Sequence, residues 1–172
     1  MKRIHVIGRK NHGKTTLVAE LVRELAARGL RVGTIKHTHH QHELDAPGKD
    51  SHRHREAGAV VVGILSRGMN AAFWPPDEAT EPRRDDRYDS FEPILAHCDL
   101  VIVEGDSQTT APKIEVWRRS LGTPPLASED ASIAAVVTDD DVDFSRLDLT
   151  VPVRLRSDVS VLADAVCELA EA

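Results

Sequence analysis

The chain has 172 residues, 41% hydrophobic and 29% charged, with a net charge of −6. This is enough for one globular domain over 1–172, but not comfortably for two cores. The acidic balance argues against nucleic acid recognised through a broad basic surface, and no apolar run approaches the roughly 20 residues of a membrane span.

The first element is "KRIHVIG", in which Ile4, Val6 and Ile7 predict a short buried strand ending at Gly8. It runs into "GRKNHGKTT", residues 8–16, which satisfies G-x-x-x-x-G-K-[ST]. Leu17, Val18, Leu21, Val22 and Leu25 then recur at helical spacing, with Gly29 placed to end the helix. Strand, glycine loop and helix in this order make a phosphate-binding loop. A glycine turn before an ordinary helix would not need Lys14 and Thr15. In such a loop, backbone N–H groups and the helix N-terminus face a polyphosphate, the lysine reaches the β- and γ-phosphates, and the hydroxyl can ligate magnesium. The candidate nucleotide contacts are therefore Gly8, Arg9, Lys10, Asn11, His12, Gly13, Lys14, Thr15 and Thr16. His12 faces solvent or the nucleotide on this reading and has no catalytic role.

Next come a strand at "RVGTIKH", a polar loop and a short helix at "DSHRHREAGA". "AVVVGILS" and "MNAAFWP" are apolar runs separated by Arg67-Gly68, which suits a hairpin. Residues 75–90, "PPDEATEPRRDDRYDS", are highly charged and read as a protruding loop or hairpin within the domain. "FEPILAHC" reads as helix, "DLVIVEG" as a buried strand, "KIEVWR" as an alternating one, and "SIAAVVTD" and "VPVRL" as further strands. "VSVLADAVCELAEA" is the closing amphipathic helix. This alternation implies an α/β three-layer P-loop NTPase fold with a mainly parallel central sheet and ligands at the carboxyl ends of the strands. Cys98 and Cys167 lack metal-ligand spacing and read as reduced thiols of a cytoplasmic protein. The N-terminus enters the first strand directly, so no signal peptide is expected.

Glu104 ends an apolar strand and resembles a Walker B carboxylate. Thr15, Glu104 and either Asp45 or Asp50 can supply the protein's share of an octahedral magnesium shell. Asp50 also suits the N-cap of the helix at 51–57. Lys36, at the end of the second strand, either faces the phosphates as a catalytic cation with Lys14 or snorkels from a strand end. His37, His39, His40, His42, His52 and His54 crowd one segment without zinc-site spacing, which favours a polar loop near a polyanion. Thr138 and Asp139 end a late strand, where an aspartate can accept hydrogen bonds from guanine, although the N-K-x-D motif of common GTPases is absent.

With these residues together, the chain resembles the molybdopterin-guanine dinucleotide biosynthesis protein B family (MobB). The matching pieces are "GRKNHGKTTL", "IKHTHH", "DAPGKDSHRHREAGA", "DLVIVEG" and "APKIEVWR". The resemblance implies a P-loop fold and GTP binding. With no obvious glutamine to orient water and no arginine finger in a defined loop, at most slow intrinsic GTP hydrolysis is expected. The resemblance also implies an adapter role beside the molybdenum cofactor guanylyltransferase, which attaches GMP to molybdopterin. Further implied partners are molybdopterin itself, apo-molybdoenzymes and a second copy of the chain, bound through a hairpin that 75–90 would correspond to. Two departures stand out. "RKNH" replaces small loop residues, and Asp106-Ser107 follows Gly105 where the family has Phe-Lys, which leaves Lys36 and Lys113 as substitute cations.

The layout of Thr15, Lys36, an aspartate in the second loop and Glu104 is also similar to ATP-dependent dethiobiotin synthetases. A small-metabolite kinase is a third reading, in which Arg83, Arg84 and Arg87 would serve as the lid arginines.

Overall fold

The computed structural model describes residues 1–38, 43–76, 85–141, 143 and 149–171, so His39, His40, His42, Arg83 and Arg84 lie outside the described residues. In chain order the elements are β1 (Arg3–Ile7), α1 (Lys14–Ala27), β2 (Val32–Lys36), α2 (Asp50–Glu56), β3 (Val62–Ile64), β4 (Ala71–Phe73), α3 (Glu92–Leu95), β5 (Leu100–Glu104), β6 (Lys113–Val116), β7 (Ala135–Thr138), β8 (Val153–Leu155) and α4 (Val159–Glu171). Short 3₁₀ turns cover Asp86–Phe91, Arg119–Leu121 and Leu126–Ser128. The chain divides into two compact units, Met1–Thr38 with Arg84–Ala172, and His39–Arg83.

In the first unit six strands pair in the order β2-β5-β1-β6-β7-β8, each neighbour parallel. Parallel strands covered on both faces read as continuous apolar runs, which is why β1 and β5 were legible as buried strands. On one face Ile4, Val6, Ile102 and Ile114 pack with Leu17, Leu21 and Leu25 of α1 and Leu162, Ala163 and Val166 of α4. The opposite face has two smaller clusters, one around Ile7, Trp117 and Val136, the other around Tyr88, Val101 and Val103.

Although β6 alternates in sequence, all four of its residues are buried. Its two charges are matched beneath the second face. Lys113 Nζ donates to the carbonyls of Ser107 (3.0 Å) and Thr109 (3.2 Å) and pairs with Asp130 at 3.1 Å. Glu115 accepts the N–H groups of Leu126 (2.8 Å) and Ala127 (2.9 Å), which clips the following 3₁₀ turn to the sheet. Lys113 is thus committed inside the fold and is not available as the substitute cation expected from sequence.

In the second unit β3 and β4 form the antiparallel hairpin expected around Arg67-Gly68, with Val62 opposite Phe73 and Ile64 opposite Ala71. The helix begins at Asp50, with Lys49 at the N-cap position, so Asp50 lies in the first turn and makes no capping bond. The protrusion expected at 75–90 is corrected at its described end. Residues 77–84 lie outside the described residues, while Asp86–Phe91 is a 3₁₀ turn held by Tyr88, only 2% exposed.

Tyr88 belongs to a buried polar layer created by the sheet order. Because β5 and β6 both flank β1, residues 105–112 must cross β1. Gly105 N–H bonds the Val6 carbonyl on leaving, and His5 N–H bonds the Pro112 carbonyl on return. The His5 ring, fully buried, sits under this crossing with Nδ1 3.2 Å from the Gly105 carbonyl, Nε2 3.4 Å from Thr109 Oγ1, and its edge on Tyr88. Asp85 holds the same layer by accepting from Thr109 and Thr110 and pairing with Arg3 at 3.1 Å. Burial works against the Asp85 carboxylate, but those hydroxyl and backbone hydrogen bonds outweigh it and keep its pKa low.

Burial lowers the His5 pKa from 6.5 to about 4, with the Gly105 carbonyl opposing and Arg3 assisting. The fold holds the neutral ring, so the unfolded chain takes up the proton first as pH falls. Stability from this site is full above pH 6.5 and is lost between pH 6.5 and 4, by about 3 kcal/mol in all. Denaturant titrations across that range should show the loss, and His5→Gln should flatten it. An unchanged slope in the variant would assign the acid sensitivity elsewhere.

Candidate functional site

The site begins where β1 ends. Gly8 has φ +139°, and a Cβ there would lie 2.4 Å from the Val116 carbonyl oxygen, so the chain leaves the sheet pressed against β6. Asn11 (φ 68°) and Gly13 (φ 99°) turn the backbone twice more into the left-handed region before α1 starts at Lys14. Alternation of this kind aims successive N–H groups into one concavity, which the α1 N-terminus completes. Lys14 folds over the loop, Nζ donating to the carbonyls of Gly8 (2.8 Å) and Arg9 (2.9 Å). Its pKa is lowered by burial, with Glu104 opposing and Lys36 adding to the drop. Arg9, Lys10, Asn11, Thr15 and Thr16 are exposed along the loop and first helical turn.

On one side of β1, β5 brings Glu104 level with Val6, and β2 brings Lys36 level with Glu104. Thr15 Oγ1 donates to Glu104 Oε1 at 2.6 Å. Hydroxyl and carboxylate oxygens side by side at the mouth of a phosphate loop are the hard donors that suit magnesium. Glu104 thus meets Thr15 as its place in the sequence implied. Asp45 and Asp50 belong to the other compact unit. Within that unit Asp45 is buried, accepting from Ser51 Oγ at 2.7 Å and donating its N–H to Glu43. Among the described residues no three His, Cys, Asp or Glu side chains converge on one point.

Beyond Glu104, Asp106 is buried in the left-handed region (φ 61°). It is held there by the Tyr88 hydroxyl at 2.7 Å and by Arg87 at 3.2 Å. The position after Gly105 is therefore a carboxylate anchored from below. Arg87 also reaches His37 Nε2 at 3.1 Å, at the end of β2.

On the other side of β1 lie the ends of β6 and β7. Thr138 is buried, its hydroxyl donating to Asp140 Oδ2 at 3.3 Å and accepting the Asp140 N–H at 3.1 Å. Asp139 is exposed at the strand end, with Oδ1 accepting the Ser157 N–H at 2.7 Å. Asp140 also receives the Arg119 N–H at 2.7 Å.

His12 corrects the expectation of an outward-facing side chain. It is 1% exposed, its Nδ1 accepts the Arg118 N–H at 3.0 Å, and its Nε2 lies 3.4 Å from Thr123 Oγ1. Burial lowers its pKa, helped by the charges of Lys14, Arg9 and Arg118. Nothing local marks this role, because a histidine in a polar loop carries no burial signal and its partner stands 106 positions later.

With that geometry in place, comparison with known proteins identifies the family. The family model for molybdopterin guanine dinucleotide synthesis protein B matches residues 3–139. The molybdopterin-guanine dinucleotide biosynthesis adapter protein of Haemophilus influenzae is 39% identical over 142 residues, 82% of this chain and 76% of that one. Its Escherichia coli counterpart is 35% identical over 159 residues, 91% and 86% of the two chains. A crystal structure of a MobB homolog from Bacillus stearothermophilus superposes with TM-score 0.63 at 25% identity, covering 99% of both chains. A further crystal structure of molybdopterin-guanine biosynthesis protein B gives TM-score 0.65 at 26% identity, again over 99% of each. The chain belongs to the molybdopterin guanine dinucleotide synthesis protein B family.

Proposed function

We propose that this chain is a GTP-binding adapter of molybdopterin guanine dinucleotide biosynthesis, working beside the guanylyltransferase that joins GMP to molybdopterin. The observation that carries the nucleotide reading is the 2.6 Å contact between Thr15 and Glu104 at the mouth of the loop. The adapter role follows from the family and from the printed names of its curated relatives. The synthetase and kinase readings give way to it.

Thr15 and Glu104 would hold magnesium, which when bound screens the charge of the phosphates. Lys14 exchanges its two loop carbonyls for phosphate oxygens, and its depressed pKa reflects a cation that gains from an incoming anion. Lys36, exposed and level with Glu104, lies on the same side of β1 as Glu104. Asp139 is read as the guanine contact, held at the β7 edge by its bond to Ser157. Slow turnover fits a site with no water-orienting glutamine in its motifs. A homodimer is supported by the apolar tip of the β3–β4 hairpin, where Leu65 is 86% and Met69 76% exposed.

Lys14→Ala should weaken GTP binding by roughly 10²–10⁴-fold, because two charge-assisted hydrogen bonds of about 1.5–3 kcal/mol each are lost. Thermal stability should change little. Retained affinity in calorimetric titration would remove the phosphate-loop assignment.

Glu104→Gln should weaken GTP binding in magnesium by about tenfold or more and leave affinity in chelator nearly unchanged. Parallel titrations with and without EDTA separate the two, and equal losses would make Glu104 structural.

The unmutated chain should prefer GTP to ATP, and Asp139→Asn should erode that ratio by about 10–100-fold without changing affinity for tripolyphosphate. Equal binding of the two nucleotides by the unmutated chain would exclude Asp139 as a guanine reader.

A further inference from the structure

We propose that Arg118 is a phosphate-contacting residue of the nucleotide site, and that buried His12 is the positioning residue that sets it over the loop. The inference rests on reading residues 8–16 as a nucleotide site.

Arg118 leaves the end of β6 in extended conformation (φ −136°, ψ 122°). Its backbone N–H is tied to His12 Nδ1 at 3.0 Å. An Nδ1 that accepts must be unprotonated, so the neutral ring carries its proton on Nε2, the nitrogen facing Thr123. The ring is wedged between the phosphate loop and the β6 loop and ties the one to the other.

The side chain then lies on the loop. A Cβ built at Gly13 would meet Arg118 Nη2 at 2.8 Å, Cζ at 3.3 Å and Nε at 3.4 Å, so the guanidinium plane rests against the Gly13 Cα. Gly13 immediately precedes Lys14 and the start of a 14-residue helix. Among the described residues no carboxylate pairs with this guanidinium, and the side chain is exposed. A guanidinium, the Lys14 ammonium and the positive end of a helix dipole thus share one small region, in which Glu104 offsets Lys14 but, among the described residues, no carboxylate pairs with Arg118. That arrangement costs free energy until a polyanion enters, and then each of the three terms becomes attractive.

The side of the loop narrows which phosphate is touched. Glu104 and Lys36 lie on the β5 and β2 side of β1, where Thr15 and Glu104 would hold a metal that screens the terminal phosphates. Arg118 comes from β6, on the opposite side of β1. That leaves it the α-phosphate and the near oxygens of the β-phosphate. The ligand class is a nucleoside diphosphate or triphosphate, held by a guanidinium that favours bidentate contact to phosphate oxygens.

The test is calorimetric titration of the full chain and its variants with GTP and GDP, with folding of each variant checked by circular dichroism and thermal melting. Arg118→Ala should lose about 10–100-fold in affinity for both nucleotides by the same factor, and Arg118→Lys should recover only part of it. His12→Ala should lose a smaller factor for both. His12→Asn should restore affinity, because its Oδ1 can accept the Arg118 N–H where Nδ1 did. Wild-type binding that Lys14→Ala abolishes but Arg118→Ala leaves intact would overturn this inference alone. A loss confined to GTP would overturn the α-side placement. His12→Asn no better than His12→Ala in affinity, at equal melting temperature, would overturn the positioning role. No nucleotide binding by the unmutated chain would overturn the reading of residues 8–16 and this inference with it.

Discussion

The carboxyl edge of this protein is organised by the contact of Gly8 with the Val116 carbonyl. A side chain at position 8 would bring a Cβ within 2.4 Å of that oxygen, so the loop can start only from glycine and only hard against β6. From this start the backbone turns through Asn11 and Gly13 into α1, which sets Lys14 and Thr15 at the helix N-terminus. The parallel pairing of β1 with β5 then delivers Glu104 to Thr15 without any contribution from loop flexibility. One steric constraint and one strand register therefore fix the relation between the phosphate cradle and its acidic partner.

The same strand order creates a problem that the fold solves with polar groups. A chain passing from β5 to β6 has to cross β1, and residues 105–112 do so without a helix. The crossing is underpinned by His5, Asp85, Tyr88 and Lys113, all donating to or accepting from the loop or its anchors. Asp106 is the junction between this layer and β5. Its carboxylate is tied to Tyr88 and Arg87, so the segment that follows Glu104 is held from beneath by charge and hydrogen bonds.

Much of the fold was legible because parallel strands buried on both faces give apolar runs, and α1 and α4 give helical spacing. The loop at 8–16, Glu104 and the β3–β4 hairpin were legible for a related reason, since each is specified by residues close together in the chain. What escaped was long-range. Lys113 looked available as a cation, yet it is buried under carbonyls of the crossing and beside Asp130 from the β6–β7 connection. His12 looked outward-facing, yet Arg118 and Thr123 draw it inside. The charged segment near 75–90 looked like an excursion, yet Tyr88 packs edge-on with His5 in the buried layer beneath the crossing. Local composition carries no trace of partners that the topology supplies.

The adapter reading is tested most directly by measuring the rate at which the molybdenum cofactor guanylyltransferase converts molybdopterin and GTP to the dinucleotide, with and without this chain. A GTP-loading adapter predicts a faster rate with the intact chain and the unassisted rate with Lys14→Ala at the same concentration. Stimulation by Lys14→Ala equal to that of the intact chain, or no stimulation by either, would contradict a role for the bound nucleotide in that reaction.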